Sequence, residues 1–355
     1  TNFKLDAGGE YLGLVNPSGE VVSAFAPKYP VQTKDVSYGR AGGAPQIVGY
    51  FDKATPGAAN SASGSGYAPA LEVSRPAGTY SGTITVSLRM LAADTNSVIR
   101  FTTNNTLPGA TSPVYAGPLT FSTAVVLRAR TFSPGRLPGP PVSAAYTPLS
   151  VGAGQFRSDL PVLLLHNYGR GRPSTLGVPG TVQLFEPVDG VTSMTNAPTL
   201  SARAVLASRG SSTEGLAKVS LKVEFRDEFE LDRDVGWLGM PEDSDWVLYA
   251  PNVFDPIMTH NPFMYGLARD LGYYASRTRF VEVYLVQTGV GAVSTTSYNG
   301  IYVLEEKVKR GKNRVDVDKL EPEHSLEPEV SGGYLFKVDR ADPGDTGFSA
   351  AGTTM

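Results

Sequence analysis

The sequence predicts a multidomain chain, β sandwiches followed by an α+β domain, on three observations. Its 355 residues exceed one ordinary domain. Charge is unevenly placed: only 18 of the 65 charged residues fall in residues 1–150. That first part is rich in Gly, Ser, Thr and Pro around short alternating apolar runs, the pattern of sandwich modules. The later part adds a capped helical segment and longer charged stretches, as an α+β domain requires.

Bulk composition narrows the function classes. Apolar residues make up 41% and charged residues 18%, within the range of a soluble globular protein. The net charge of −3 excludes bulk attraction to nucleic acid or to an anionic membrane. No run of about 18 apolar residues occurs, so no membrane-spanning helix is expected. With no cysteine, disulfides and thiolate metal sites are excluded. His166, His260 and His324 share no metal-ligand spacing, which argues against a histidine zinc site.

Within residues 1–60, GEYLGLV and EVVSAF flank Asn16-Pro17-Ser18-Gly19, a turn cluster that predicts a hairpin. Residues 61–67 are Gly/Ser-rich and read as a flexible linker. In residues 68–150, Ile84, Val86, Leu88 and Met90 alternate with polar residues, as a half-buried strand does. Ile99 with Phe101 and Leu127 with Ala129 repeat the pattern, and Asn104-Asn105-Thr106 suits a turn. Neither module contains a catalytic cluster.

The chemistry gathers after residue 150. LPVLLLH (160–166) reads as a buried strand. The Gly-rich basic stretch YGRGRPSTLGVPG (168–180) has no phosphate-loop spacing and reads as a surface loop. After the strand-like ARAVLAS, Arg209-Gly210-Ser211-Ser212 sets a cation beside a glycine turn and two hydroxyls, a unit that can hold phosphate. From Lys218 to Phe225, Val219, Leu221, Val223 and Phe225 alternate with Lys218, Ser220, Lys222 and Glu224. Lys218 is a compact cation on a long stem, suited to phosphate or simply to solvent. Asp243 and Asp245 precede an apolar strand anchored by Trp246 and read as turn architecture. Asn261-Pro262 predicts a helix start and Gly272 its end, with Phe263, Met264, Leu267, Ala268 and Leu271 on one face. Arg279–Leu285 and Gly300–Glu306 read as strands. Between them a long connection (286–299) suggests a flap or binding loop. Glu305 and Glu306 either balance the nearby Lys307, Lys309, Arg310, Lys312 and Arg314 or serve the site.

The ordered set RGSS, AKVSLKVEF, LGMPEDSDWVLYAP, HNPFMYGLARDLG, RTRFVEVYL, GIYVLEEKVKRGKNRVDVDKL and GGYLFKVDR resembles the N-terminal portion of a CotH-type kinase domain, over residues 158–355. Residues 68–150, through GTYSGTITVSL, IRFTTNNTLP and VVLRARTF, resemble a chitobiase C-terminal, fibronectin-III-like module. In residues 1–60, DVSYGR and ATPGAAN resemble part of a lamin-tail, immunoglobulin-like domain. The kinase resemblance implies transfer of the ATP γ-phosphate to Ser or Thr of a protein partner, with Mg or Mn as metal. It implies nucleotide contacts from Arg209, Gly210, Ser211, Ser212 and Lys218, and a catalytic pairing of Lys218 with Glu306. The family's metal-binding acids are expected beyond Met355, Asp339 and Asp345 being poor substitutes, so the chain reads as a fragment inactive by itself. The implied setting is extracellular or cell-surface, with a surface polymer or glycan as a partner for the β modules. The competing reading is a non-catalytic adhesion or structural protein with a kinase-like domain.

Overall fold

The computed structural model describes the chain except residues 1–3, 35, 43, 61–63, 211, 212, 214, 251–253, 336–348, 351, 352 and 355, and the side chains of 349, 350, 353 and 354. The chain divides into two compact units, residues 1–154 with 290–294, and residues 155–289 with 295–355. Both are built mainly of strands, so the β-rich multidomain architecture expected from the sequence is present.

In the first unit, β1 (Leu12–Val15) and β2 (Val21–Phe25) form the expected hairpin, closed by the Asn16 side chain accepting from the Ser18 and Glu20 amides at 3.0 and 2.9 Å. A second hairpin joins β3 (Ser37–Ala41) to β4 (Ala44–Phe51). Next, β5 (Leu71–Val73) pairs with β8 (Leu88–Met90), and β7 (Ile84–Val86) with β10 (Leu119–Phe121). A four-stranded sheet orders β6 (Gly78–Tyr80), β12 (Val142–Pro148), β11 (Val125–Phe132) and β9 (Val98–Thr102). The alternating run 84–90 is therefore two strands in two sheets. They part at Ser87, whose backbone exchanges bonds with Ser74 at 2.8 and 2.9 Å. The core between these sheets includes Leu71, Val86, Leu88, Ile99, Leu127, Ala129 and Tyr146. Gly64 exchanges backbone bonds with Tyr50, and Gly66 accepts from Leu137, so residues 64–67 follow a defined course.

Residues 290–294, inside the predicted flap, belong to this first unit. There Val290 accepts from the Ala124 amide at 2.7 Å, and Val293 exchanges bonds with Pro148 and Ser150 at 2.8 and 2.9 Å. This segment is a strap held by backbone bonds, and Val293 is buried.

The second unit is a closed seven-stranded barrel. Its strands are β13 (Val162–His166), β14 (Val178–Phe185), β15 (Leu200–Arg209), β16 (Ser220–Arg226), β17 (Asp245–Tyr249), β18 (Thr278–Val286) and β19 (Tyr298–Glu306). They close in the order β13-β14-β15-β16-β17-β19-β18, with only the β13–β18 pair parallel. Closure leaves no sheet edge, and strand alternation fills the interior with Leu163, Val182, Leu206, Leu221, Phe225, Trp246, Leu248, Val283 and Leu304. Val219, Leu221, Val223 and Phe225 point inward as predicted, while Ser220, Lys222 and Glu224 face out.

After the one-turn helix α1 (Val151–Gly154), the helix α2 (His260–Asp270) begins two residues earlier than the sequence suggests. Thr259 occupies the cap without a side-chain bond, and the Asp255 carboxylate accepts from the His260 amide at 2.7 Å instead. Asn261, expected to cap, donates to Glu305 at 3.1 Å. Gly272 ends the helix at φ +85°, as predicted. No residue of α2 is buried.

Candidate functional site

Strand order decides which loops meet. At one end of the barrel, the mouth, β13 runs into a loop of residues 167–177, β15 ends at Arg209, β16 begins at Ser220 and β19 begins at Tyr298. Lys218 lies just ahead of β16. Its Nζ donates to the Ile301 carbonyl and sits 4.4 Å from the centroid of the Tyr302 ring, a cation over a π face. Tyr302 is fully buried; its hydroxyl donates to the Val219 carbonyl at 3.1 Å and accepts from Asn299 at 2.7 Å. The ring under Lys218 is thus fixed by bonds on both sides. Gly300, at φ +82°, leaves room for the lysine: a Cβ there would stand 3.3 Å from Nζ. Burial lowers the Lys218 pKa, and the charge of Glu282 works against that.

The loop 167–177 faces the same mouth. Asn167, buried, accepts from the Arg170 amide at 3.3 Å and donates to Gly171 O at 2.5 Å, while Ser174 O accepts from the Ser208 amide at 3.0 Å. Arg172 leaves this loop to donate from Nη2 to the Leu216 carbonyl at 2.8 Å, on the connection that carries Lys218. Burial raises the Tyr302 phenol, and the Arg172 charge opposes it. The basic loop, which spacing alone made a plain surface loop, is therefore tied to the connection that carries Lys218.

The remaining predicted contacts divide. Arg209 is the last residue of β15, in register with Ser220, and its charge reaches Glu305 and Tyr265 on the outer wall. Gly210 has φ +108°, and a Cβ there would stand 2.1 Å from the Thr213 hydroxyl, so this turn requires glycine. Ser211 and Ser212 lie outside the described residues. Arg209 and Lys218 thus bound one connection, and Lys218 is turned over the mouth.

The Lys218–Glu306 pair expected from the sequence does not form. Glu306 ends β19, five residues beyond Ile301 and roughly 16 Å along the strand. Its buried carboxylate accepts from Arg314 at 2.7 Å, from the Arg277 guanidinium at 2.9 Å and from the Arg277 amide at 2.9 Å. Strand parity explains this: Glu306 pairs with Trp246 and turns inward at the opposite end, the base. There Asp243 and Asp245 take Lys309 at 2.7 and 2.9 Å, Asp245 takes Lys307 at 3.0 Å, and Arg314 lies 5.0 Å from the Trp246 ring centre. Both turn acids and Glu306 thus take basic partners at the base. Glu305, one residue earlier, turns outward to Asn261; burial holds its carboxyl above the usual range, against Asn261 and Arg209.

The acid whose charge acts on Lys218 is Glu282. It is the register partner of Ile301, buried, and accepts hydrogen bonds from Ser158 at 3.1 Å and from the Tyr298 hydroxyl. Sequence reasoning passed it over, yet the signal was present: one carboxylate inside the apolar run FVEVYL. Among the described residues no group of three or more His, Asp or Glu is arranged to hold a metal ion, and Asp339 and Asp345 lie outside them. Among those residues, too, no helix is long and apolar enough to cross a membrane.

No curated protein matches the chain. Family models match two regions: one described as the chitobiase/β-hexosaminidase C-terminal domain over residues 75–143, the other as CotH kinase protein over 206–353. The second match contains Arg209, Lys218, Glu282, Tyr302 and Glu306, and the barrel strands from β16 to β19. Over residues 206–353 the chain is thus similar to the CotH kinase protein family, and over residues 75–143 to the chitobiase/β-hexosaminidase C-terminal domain.

Proposed function

We propose that this chain supplies the phosphate-handling part of an atypical α+β protein kinase, which transfers the γ-phosphoryl group of ATP to Ser or Thr of a protein partner. The observation that carries the reading is Lys218, held at the barrel mouth by the Ile301 carbonyl and the Tyr302 ring. An ammonium fixed before the substrate arrives stabilises phosphate charge without reorganising. We assign a second phosphate contact to the segment Arg209-Gly210-Ser211-Ser212, in sequence a cation beside a glycine and two hydroxyls. Glu282 takes the electrostatic role that the sequence offered to Glu306.

In the transfer itself, the acceptor hydroxyl oxygen bonds to the γ-phosphorus, the bond to the bridging oxygen breaks, and ADP leaves with that electron pair. The hydroxyl proton departs to solvent or a base. Mg or Mn would shield phosphate charge in such a reaction. The described acids do not form a site for it, and no step here runs through a metal. The β modules fit spacers that hold the catalytic part at an extracellular or cell-surface location, with a surface polymer or glycan as their partner. Residues 1–60 serve there as part of a lamin-tail-like domain.

Calorimetric titration with ATP tests the reading. Lys218→Ala should weaken binding at least ten-fold, the size of a charge-assisted contact. Equal affinity in the variant and the parent would overturn it.

A further inference from the structure

The helix α2 turns its polar side to the barrel and its apolar side away. On the half-buried side, Asn261 donates to Glu305 at 3.1 Å and Arg269 donates to Ser276 O at 2.6 Å, with Tyr265 and Ala268 also half-buried. The opposite side carries Phe263, Leu267 and Leu271, four residues apart and so one above another, with Met264 inside the same arc of about 100°. These four are 41–66% exposed. Exposure continues at both ends, with Ile257 before the helix at 71% and Tyr273 after it at 70%. An apolar stripe at helical spacing ordinarily faces a core. Exposed apolar surface on this scale marks an interaction site.

We propose that this stripe is the interface of a symmetric dimer, covered by the same stripe of a second copy of the chain. Area favours that occupant. At about 200 Å² a residue, the four helix side chains leave roughly 500 Å² open per copy, and Ile257 with Tyr273 bring it to roughly 800 Å². A standard specific interface takes about 800 Å² from each partner. Shape favours it too. The commonest helix crossing packs an i±4 ridge of one helix against an i±4 ridge of the other, and each copy brings Phe263, Leu267 and Leu271. With the two-fold axis at Leu267, Phe263 of one copy meets Leu271 of the other, and the symmetric contact repeats on the far side of the axis. The stripe holds no charged side chain, so it offers nothing to a partner recognised through charge. The one acid of the helix, Asp270, falls opposite Met264 in this register, and no like charges face each other. The dimer does not depend on the nucleotide reading of the mouth.

The test is sedimentation of the full chain over about 1–100 μM, the range in which an interface of this size first shows itself. A dimer should form there, and Leu267→Asp should weaken it at least about thirty-fold by setting two carboxylates against each other at the axis. The chain has no cysteine, so Leu267→Cys places a single thiol at that axis. Mild oxidation should link two copies through it, whereas Leu176→Cys, at a position 93% exposed in the loop 167–177, should stay unlinked. A monomer at every concentration would overturn the proposal. If that monomer binds neutral phosphatidylcholine vesicles and Leu267→Asp does not, the stripe belongs to a lipid surface instead. If the thiol of a monomeric Leu267→Cys resists alkylation, the chain covers the stripe itself. A dimer that survives Leu267→Asp uses another surface and overturns the proposal as well. Should Leu267→Asp unfold, the cross-link decides: linking no faster in Leu267→Cys than in Leu176→Cys counts against the dimer.

Discussion

The two ends of the barrel use charge in opposite ways. At the base, Glu306, Asp243 and Asp245 are matched by Arg277, Arg314, Lys307 and Lys309, carboxylate against cation at 2.7–3.0 Å. At the mouth, Lys218 and Arg172 donate to backbone carbonyls, and Lys218 sits over the Tyr302 ring. A closed ion-pair network has its charges answered within the fold and contributes rigidity. Lys218, the residue that the proposed function uses, is instead placed by a carbonyl and a π face. The base is thus architecture and the mouth the seat of the proposed chemistry, although the sequence placed one candidate catalytic residue at each.

The strongest way to break this division is to remove Glu306. Arg314 is 4% exposed, so Glu306→Ala strands a buried guanidinium, and losing one partner of a buried pair costs about 3–5 kcal/mol. Denaturant melts should show that loss, while ATP affinity of the folded fraction stays within about two-fold of the parent. A stable variant that had lost ATP binding would return Glu306 to the catalytic role.

His166 gives the next largest effect and belongs to the mouth end. It is 1% exposed, its Nδ1 accepts from the Tyr168 amide at 2.9 Å, and burial lowers its pKa to about 4. The unfolded histidine takes its proton near pH 6.5, so between roughly pH 6.5 and 4 the unfolded state binds more protons than the native one. Stability is therefore full above about pH 6.5 and falls as pH drops toward 4, by up to about 3 kcal/mol. His166→Gln should flatten that window in pH-dependent melts. An unchanged slope would mean that the imidazole charges without penalty.

What the sequence made legible follows from what local pattern encodes. The alternation at 219–225 shows which side chains fill the barrel, because period-two burial is local. It does not show that the strand closes into a barrel, nor that β13 lies beside β18, since those pairings join residues far apart in the chain. Lys218 was legible as a cation next to a glycine turn. Its anchor, Tyr302, lies more than eighty residues on and was not. Glu305 and Glu306 are adjacent in sequence and face opposite sides of a strand, so the choice between them depended on register. The tie from Arg172 to Leu216 was hidden for the same reason, since it joins residues far apart in the chain.

The smallest effect sharpens the base half of the comparison. Burial would raise the Asp245 carboxyl, but Lys309 and Lys307 outweigh it and hold the pKa below the usual range. A depressed acid contributes stability that is present above its unfolded pKa of about 3.9 and is lost as pH falls through the lower folded value. Asp245→Asn keeps the shape and removes the charge that Lys307 and Lys309 meet at 3.0 and 2.9 Å. Both lysines are about one-third exposed, so each pair is worth roughly 0.5–1 kcal/mol and the variant should lose about 1–2 kcal/mol near neutral pH. High salt should shrink that difference by screening, and below about pH 3 parent and variant should converge, because the parent acid is then protonated in the unfolded chain and increasingly in the native one. A difference that persisted at low pH would mean that Asp245 acts through its bond from its own amide to Asp243, 2.8 Å long. The base would then be held by turn geometry rather than by charge.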